Sequence, residues 1–131
     1  MPHMFSGALV QDLAILRLNV TWTEGDSSAT TPLIWVVKLA EGPQGQVQVG
    51  GTLRIQGAWG RMNAKSAALL SEEAADEHHR SSHSDGGAFA ACMETMLSPI
   101  LWAYTRQTAL PVIAALPTGP AEHFPREPPA P

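Results

Sequence analysis

Cysteine, positive charge and long apolar runs are all scarce in this sequence. The single cysteine, Cys92, has no partner for an internal disulfide, which is typical of reducing compartments, so we expect a cytoplasmic protein. Two lysines and six arginines are scattered along a chain of net charge −4, which predicts no positive stripe and no nucleic-acid partner. No stretch reaches the roughly 18 apolar residues of a membrane span. The first residues also lack the pattern of a secretory signal.

Signatures of catalysis are missing as well. Cys92 lies among alanines and methionines with no general base nearby in the sequence, so its thiol is interpreted as a small core residue. The pairs Gly50-Gly51 and Gly86-Gly87 lack the spacing of a phosphate-binding loop and are interpreted as turns, bulges or caps. We therefore expect no enzyme activity and no cofactor.

One polar cluster has the residue types of a metal site. It contains Asp76, Glu77, His78, His79, His83 and Asp85. Histidines 79 and 83 would lie one turn apart if a helix continued through both positions. A four-ligand zinc site usually recruits ligands from two separated segments, and the sequence has no second histidine or cysteine cluster. The cluster is therefore interpreted as a solvated helix end, with no metal bound.

What the sequence does contain is a series of β-strand signals in its first 60 residues. Three stretches carry apolar residues at every second position, which is the period of a strand with one buried face. The first stretch aligns Leu16, Leu18, Val20 and Trp22. The second aligns Leu33, Trp35, Val37 and Leu39, and its opposite face is nearly as apolar. The third keeps one phase across Gly50-Gly51 with Val47, Val49, Leu53, Ile55 and Trp59.

Helical signals follow the strands. Ser66 to Arg80 is predicted to be a helix, although Ala67 to Leu70 could instead form a short fourth strand, and the pattern leaves that choice open. The main helix is predicted from Ala88 to Thr108, with a kink or a division into two helices at Pro99. Its wide apolar stripe consists of Phe89, Met93, Met96, Leu97, Ile100, Leu101 and Tyr104.

The predicted fold is therefore α+β: an antiparallel β-meander sheet packed by a long C-terminal helix. Residues 1–116 form a single domain, and the proline-rich residues 117–131 form a disordered or polyproline-like tail. One helix cannot cover all of the apolar surface of a small sheet. We therefore expect the uncovered apolar surface to form an oligomer interface or a binding groove. The alternative is that the same residues simply fill the core, and the pattern alone does not choose between the two.

Three segments resemble the SecB family of protein-export chaperones, including the SecB-like chaperones of toxin-antitoxin systems. The segment from Ala8 to Arg17 is similar to the first strand of that family, with its hydrophobic-x-Asp-hydrophobic centre. The segment from Gln46 to Ile55 resembles a later strand with a Val-Gln-x-Gly-Gly type sequence. The predicted helix and the Ala109-Leu110-Pro111 sequence after it resemble the long helix and the following loop.

The resemblance implies an ATP-independent holdase chaperone. Such a protein binds unfolded or aggregation-prone chains, or one specific protein client, in an apolar groove between sheet and helix, and forms a homo-oligomer, either a dimer or a tetramer. The residues expected to bind clients or to form the interface are Trp22, Trp35, Trp59, Met93, Met96, Leu97, Leu101, Trp102 and Tyr104. Two alternatives stay open: a structural subunit of a virion or complex that uses the same surface as a fixed interface, and a small enzyme or metal protein that uses the histidine cluster.

Overall fold

The computed structural model describes residues 10–22, 33–57, 60–81, 87–115 and 125–129. Strands come first and helices second, and a four-stranded antiparallel sheet is packed by a long C-terminal helix, which confirms the α+β class. In chain order the elements are β1 (Val10–Trp22), β2 (Leu33–Glu41), β3 (Val47–Gly57), β4 (Gly60–Leu70), α1 (Glu72–Ser81) and α2 (Ala88–Ala114).

The strands are ordered β1-β4-β3-β2 across the sheet. Consecutive strands β2, β3 and β4 pair as an antiparallel meander, but β1 pairs with β4 and not with β2. The predicted three-strand meander is therefore wrong for its first strand. The connection over residues 23–32 is longer than a hairpin loop of two to five residues, so it does not force β1 and β2 to be neighbours.

Strand β4 replaces the first part of the predicted helix over 66–80. Residues 66–69 pair with both β1 and β3, Leu70 pairs with β1, and α1 begins only at Glu72. Alanine, leucine and lysine favour a helix by propensity, but pairing on both sides decides the conformation of a central strand. The alternative of a fourth strand is thus correct, and that strand is longer than the four residues considered, since it begins at Gly60.

The sheet has an inner face, covered by α2, and an outer face. The predicted phases are confirmed for the second strand and, over Val47 to Ile55, for the third, because their alternate side chains point to the inner face and pack in the core; Trp59 lies outside the described residues. The fully buried members include Val47, Val49 and Leu53. In β1 the predicted phase is wrong at Leu16, which is 53% exposed, because the register shifts between Ile15 and Arg17.

Helix α2 runs without interruption through Pro99 and Pro111, so the division into two helices is wrong. It also extends beyond Thr108, which places Ala109-Leu110-Pro111 inside the helix and not in a loop. Both prolines are exposed, where water can satisfy the carbonyl that loses its intrahelical partner. None of the helices in the described part of the chain is long and apolar enough to cross a membrane.

Candidate functional site

An open groove of about 710 Å³ lies between β2 and α2. Among the described strands β2 pairs only with β3, so the groove follows an edge of the described sheet. The lining is mainly apolar and consists of Leu33, Ile34, Trp35, Val36, Val37, Glu94, Thr95, Ser98, Pro99, Pro128 and Pro129. A groove of this composition can hold an extended apolar segment by contact area.

Two hydrogen bonds join α2 to β2 along the groove. The Leu39 amide donates to Glu94 Oε2 over 2.8 Å, and Trp35 Nε1 donates to Ser98 Oγ over 3.0 Å. Because the Leu39 amide points away from β3, the amides of Val37 and Trp35, which share its phase, point to the same side. The groove therefore offers backbone hydrogen-bonding groups as well as apolar surface.

The inner end of the groove is built on a pair of tryptophans. Trp35 is only 6% exposed, and its ring packs edge to face on Trp102 with 5.1 Å between ring centroids. The Trp35 indole lies directly over Gly51 in β3, where a Cβ atom would overlap the ring. This close approach requires glycine, so Gly51 sets how deeply the indole enters the sheet.

A proline-rich segment of the chain itself lies against α2. The Pro125 carbonyl accepts hydrogen bonds from Trp102 Nε1 at 3.2 Å and from Arg106 Nε at 2.9 Å. Pro128 and Pro129 then form part of the groove lining. Residues 117–124, the first part of the predicted tail, lie outside the described residues.

The predicted binding residues fall into three groups. Most are core residues between helix and sheet, since each is at most 6% exposed: Trp35, Met93, Leu97, Leu101 and Trp102. Met96 is 53% exposed and Tyr104 is half-buried. Trp59 and the side chain of Trp22 lie outside the described residues. The structure brings Trp35 and Trp102 together at the groove, and the binding role of all nine residues stays a prediction.

The outward side of α2 is apolar although it faces solvent. Met96 and Ile100 are 53% and 46% exposed. Cys92, Ala103 and Pro111 are also exposed at helical spacing along the same helix. A helix that is apolar on both sides is usually covered on both sides, which makes this outer side of α2 a candidate interface.

Histidines of the polar cluster fix α1 to the β2–β3 turn. His78 is buried, with its Nε2 2.7 Å from Glu41 Oε1, and His79 Nε2 lies 2.9 Å from the Gly45 carbonyl oxygen. His83 and Asp85 lie outside the described residues. Within the described ranges, no three histidine, cysteine or acidic side chains are grouped closely enough to hold a metal ion.

The end of α1 also carries an ion pair between Arg80 and Glu77. Arg80 Nη2 donates to Glu77 Oε2 over 2.6 Å, and this hydrogen bond raises the pKa of the guanidinium. The histidine contacts hold α1 against the end of β2 and the turn that follows it, whereas this ion pair lies within α1 and supports its last turn. His78, His79 and Glu77 of the polar cluster thus each have a structural contact.

Sequence reasoning missed the polar residues of the groove. Glu94 and Ser98 are four residues apart in the mainly apolar first half of α2, and that spacing places them on one side of the helix. Their position among apolar residues was a signal that could have identified them, because a polar residue on the buried side of a helix usually has a specific hydrogen-bond partner.

Comparisons with protein-family models, curated proteins and solved structures found no match for this chain.

Proposed function

We propose that this protein is an ATP-independent holdase chaperone of the SecB-like kind, with the groove between β2 and α2 as its client site. The observation that carries the proposal is the position of the groove: it combines apolar lining with an open strand edge. Apolar side chains of an unfolded client would fill the groove, and its backbone would pair with β2. Binding of this kind needs neither a nucleotide nor a chemical step.

The proline-rich segment supports this assignment. Pro128 and Pro129 form part of the groove lining, so polypeptide of this chain already lies along one side of the groove. A client would have to compete with this segment for part of the groove. The element order of strands followed by a long apolar helix also supports the SecB-like interpretation, because the resemblance rests on that order.

Assembly is the second part of the proposal. The outer side of α2 would be buried in a homo-oligomer, either a dimer or a tetramer, because removing the exposed side chains of Met96 and Ile100 from water is favourable. Each chain would then present its groove at the edge of the assembly. A cytoplasmic location and a role in protein export or in a toxin-antitoxin system belong to the same proposal.

The test uses suppression of aggregation of a reduced, unfolded client, followed by light scattering. Thr95→Arg places a long charged side chain in the groove at an exposed helix position, so folding should be retained. The matched control is Gln44→Arg, which adds the same charge at an exposed position of the β2–β3 turn, away from the groove and from the outer side of α2. We expect Thr95→Arg to lose suppression and Gln44→Arg to keep it. Equal suppression by both variants and the unmodified protein would refute the groove as the client site.

The exposed apolar side of α2 equally favours a second function, a structural subunit with a fixed interface. Such a protein would assemble to a defined mass and would not delay client aggregation at any ratio. Ile100→Glu would dissociate it, because a buried unpaired carboxylate is strongly unfavourable at an interface. Absence of suppression together with Ile100-dependent assembly would select this function over the chaperone.

A further inference from the structure

The outer face of the sheet collects most of the positive charge of the protein. Five of the eight basic residues occupy outer-face positions in the strands: Arg17, Lys38, Arg54, Arg61 and Lys65. All five are exposed. The expectation that the basic residues form no positive stripe is therefore wrong. Alternate side chains of each strand point to the same face, and the pairing of the four strands brings these cations together on the outer face of the sheet.

Negative charge is nearly absent from the same face. Asp12 is the single carboxylate at an outer-face position of the described strands. None of the five basic side chains forms an ion pair with a described carboxylate, since the ion pairs in that part of the chain involve His78, His79 and Arg80. A protein of net charge −4 thus carries one strongly positive face.

The cations are also placed against one another. Arg17 in β1 is directly opposite Lys65 in β4, a like-charge cross-strand pair, which is destabilising. Arg54 in β3 is opposite Asn63, so Lys65 and Arg61, two residues to either side of Asn63 in β4, are its diagonal neighbours at roughly 7 to 8 Å between Cα atoms. No carboxylate of the described residues pairs with these cations to offset the repulsion, which is the arrangement of a surface built for an anionic partner.

Apolar surface lies within the positive face. Ile34 and Val36 are 52% and 46% exposed in β2. They line a shallow depression of about 420 Å³ together with Lys38, Arg54 and Lys65. The depression opens on the side of the sheet opposite α2, and it shares only Ile34 and Val36 of the edge strand β2 with the lining of the proposed client groove. A partner that fits both features must carry acidic and aliphatic side chains.

From this arrangement we infer that the outer face of the sheet binds an acidic polypeptide segment with interspersed aliphatic residues. Carboxylates pair with the five cations, and aliphatic side chains cover Ile34 and Val36. Nucleic acid fits less well, because no aromatic side chain stands at an outer-face position of the described strands, and single-stranded binding relies on stacking. The inference does not rest on the proposed function, since none of the five cations lines the client groove, although Ile34 and Val36 border both surfaces.

The test is fluorescence anisotropy with a labelled synthetic peptide that repeats Glu-Glu-Leu-Ala. The variant Arg54→Gln/Lys65→Gln removes two charges from the face, and the control Arg80→Gln/Arg126→Gln removes two exposed charges elsewhere. We expect the first variant to lose roughly tenfold or more in affinity, the control to bind as the unmodified protein does, and salt to weaken binding. A peptide with lysine in place of glutamate should not bind.

Stability provides a second readout. Lys65→Gln removes the like-charge pair with Arg17, so we expect its melting temperature to rise while peptide affinity falls. A fall in melting temperature would show that the cation serves the fold and would overturn the inference. Two further outcomes would do the same: preferential binding of an oligothymidylate, which would indicate nucleic acid, and salt-sensitive self-association lost in Arg54→Gln/Lys65→Gln, which would indicate a second copy with its acidic α1.

The two proposals can fail separately. If the inference is right, Thr95→Arg still binds the acidic peptide with unchanged affinity, and Arg54→Gln/Lys65→Gln still suppresses client aggregation. Loss of peptide binding in Thr95→Arg would mean that the peptide is only another client of the groove, which would overturn the inference while leaving the proposed function intact.

Discussion

Trp35 of the edge strand β2 and Trp102 of α2 pack edge to face, with an interplanar angle of 74° between their rings. The contact joins the sheet to the helix at the groove, and each indole nitrogen donates to a different partner: Trp35 to Ser98 and Trp102 to the Pro125 carbonyl. Aromatic pairs of this geometry are worth about 0.5 to 1.5 kcal/mol beyond the area that they bury. The pair therefore connects three things: the core, the groove and the proline-rich segment.

The first prediction concerns the space beneath Trp35. Gly51→Ala would place a Cβ atom in steric overlap with the outer edge of the Trp35 indole, so the indole must move and its contact with Trp102 must change. We expect a loss of about 1 to 3 kcal/mol in the free energy of unfolding, which is the usual cost of overpacking a core. Urea denaturation with tryptophan fluorescence measures both the stability and the ring environment.

Gly50→Ala is the matched control for that experiment. A Cβ atom at Gly50 would meet the Ser66 carbonyl at 3.6 Å and the Lys38 carbonyl at 3.9 Å, both ordinary van der Waals distances. We expect this variant to unfold close to the midpoint of the unmodified protein. If Gly51→Ala were as stable as Gly50→Ala and had the same fluorescence, the packing of Trp35 over Gly51 would be contradicted.

A second prediction addresses the polar pair buried between β4 and α2. Ser66 Oγ lies 2.7 Å from Thr105 Oγ1, and both residues are fully buried. Ser66→Ala or Thr105→Val alone leaves the other hydroxyl without this partner, and we expect each to cost about 1 to 3 kcal/mol. The double variant replaces both hydroxyls by apolar groups and should cost less than the sum of the two.

A double-mutant cycle from chemical denaturation measures this coupling. A coupling energy of about 0.5 kcal/mol or more in the favourable direction would establish the hydrogen bond between strand and helix. Strict additivity would show that the two hydroxyls act independently. The cycle also tests the position of β4, because a helix over 66–80 would not bring these two side chains together.

Sequence patterns predicted the parts of this fold in which hydrophobicity and local periodicity agree. The phases of β2 and β3 and the long apolar helix were predictable for that reason. Strand β4 was predicted only as an alternative over Ala67 to Leu70, because its alternation of Met62, Ala64 and Ser66 with polar residues lacks β-branched and aromatic side chains, and long-range pairing decides its conformation. The pairing of β1 with β4 depends on contacts between residues distant in sequence, which periodicity does not encode.

The groove and the positive outer face were likewise only partly predictable from the sequence. The sequence predicted surplus apolar surface, but most residues selected by apolar phase, such as Leu97 and Leu101, are buried in the core. The groove instead depends on Glu94 and Ser98, polar residues whose partners come from another element. The positive outer face was hidden for a similar reason, because its cations come from four strands and become neighbours only through the register of the sheet.

The third prediction concerns the proline-rich segment as a competitor for the groove. Trp102 and Arg106 both donate to the Pro125 carbonyl, and Pro128 and Pro129 contact the groove. Two such hydrogen bonds contribute about 1 to 3 kcal/mol together. Deleting residues 125–131 should therefore strengthen client binding, by up to roughly a hundredfold. Anisotropy of a labelled unfolded client measures the change.

Arg106→Gln is a milder form of the same experiment, because it weakens the hold on Pro125 while leaving the segment in place. We expect a smaller gain in client affinity from this variant, and none from Gln107→Ala, a neighbouring exposed position on α2. If deletion instead weakened client binding, Pro128 and Pro129 would be part of the binding wall and not competitors. Unchanged affinity in both variants would mean that the client and the segment do not share a surface, and the client site would then lie elsewhere than between β2 and α2.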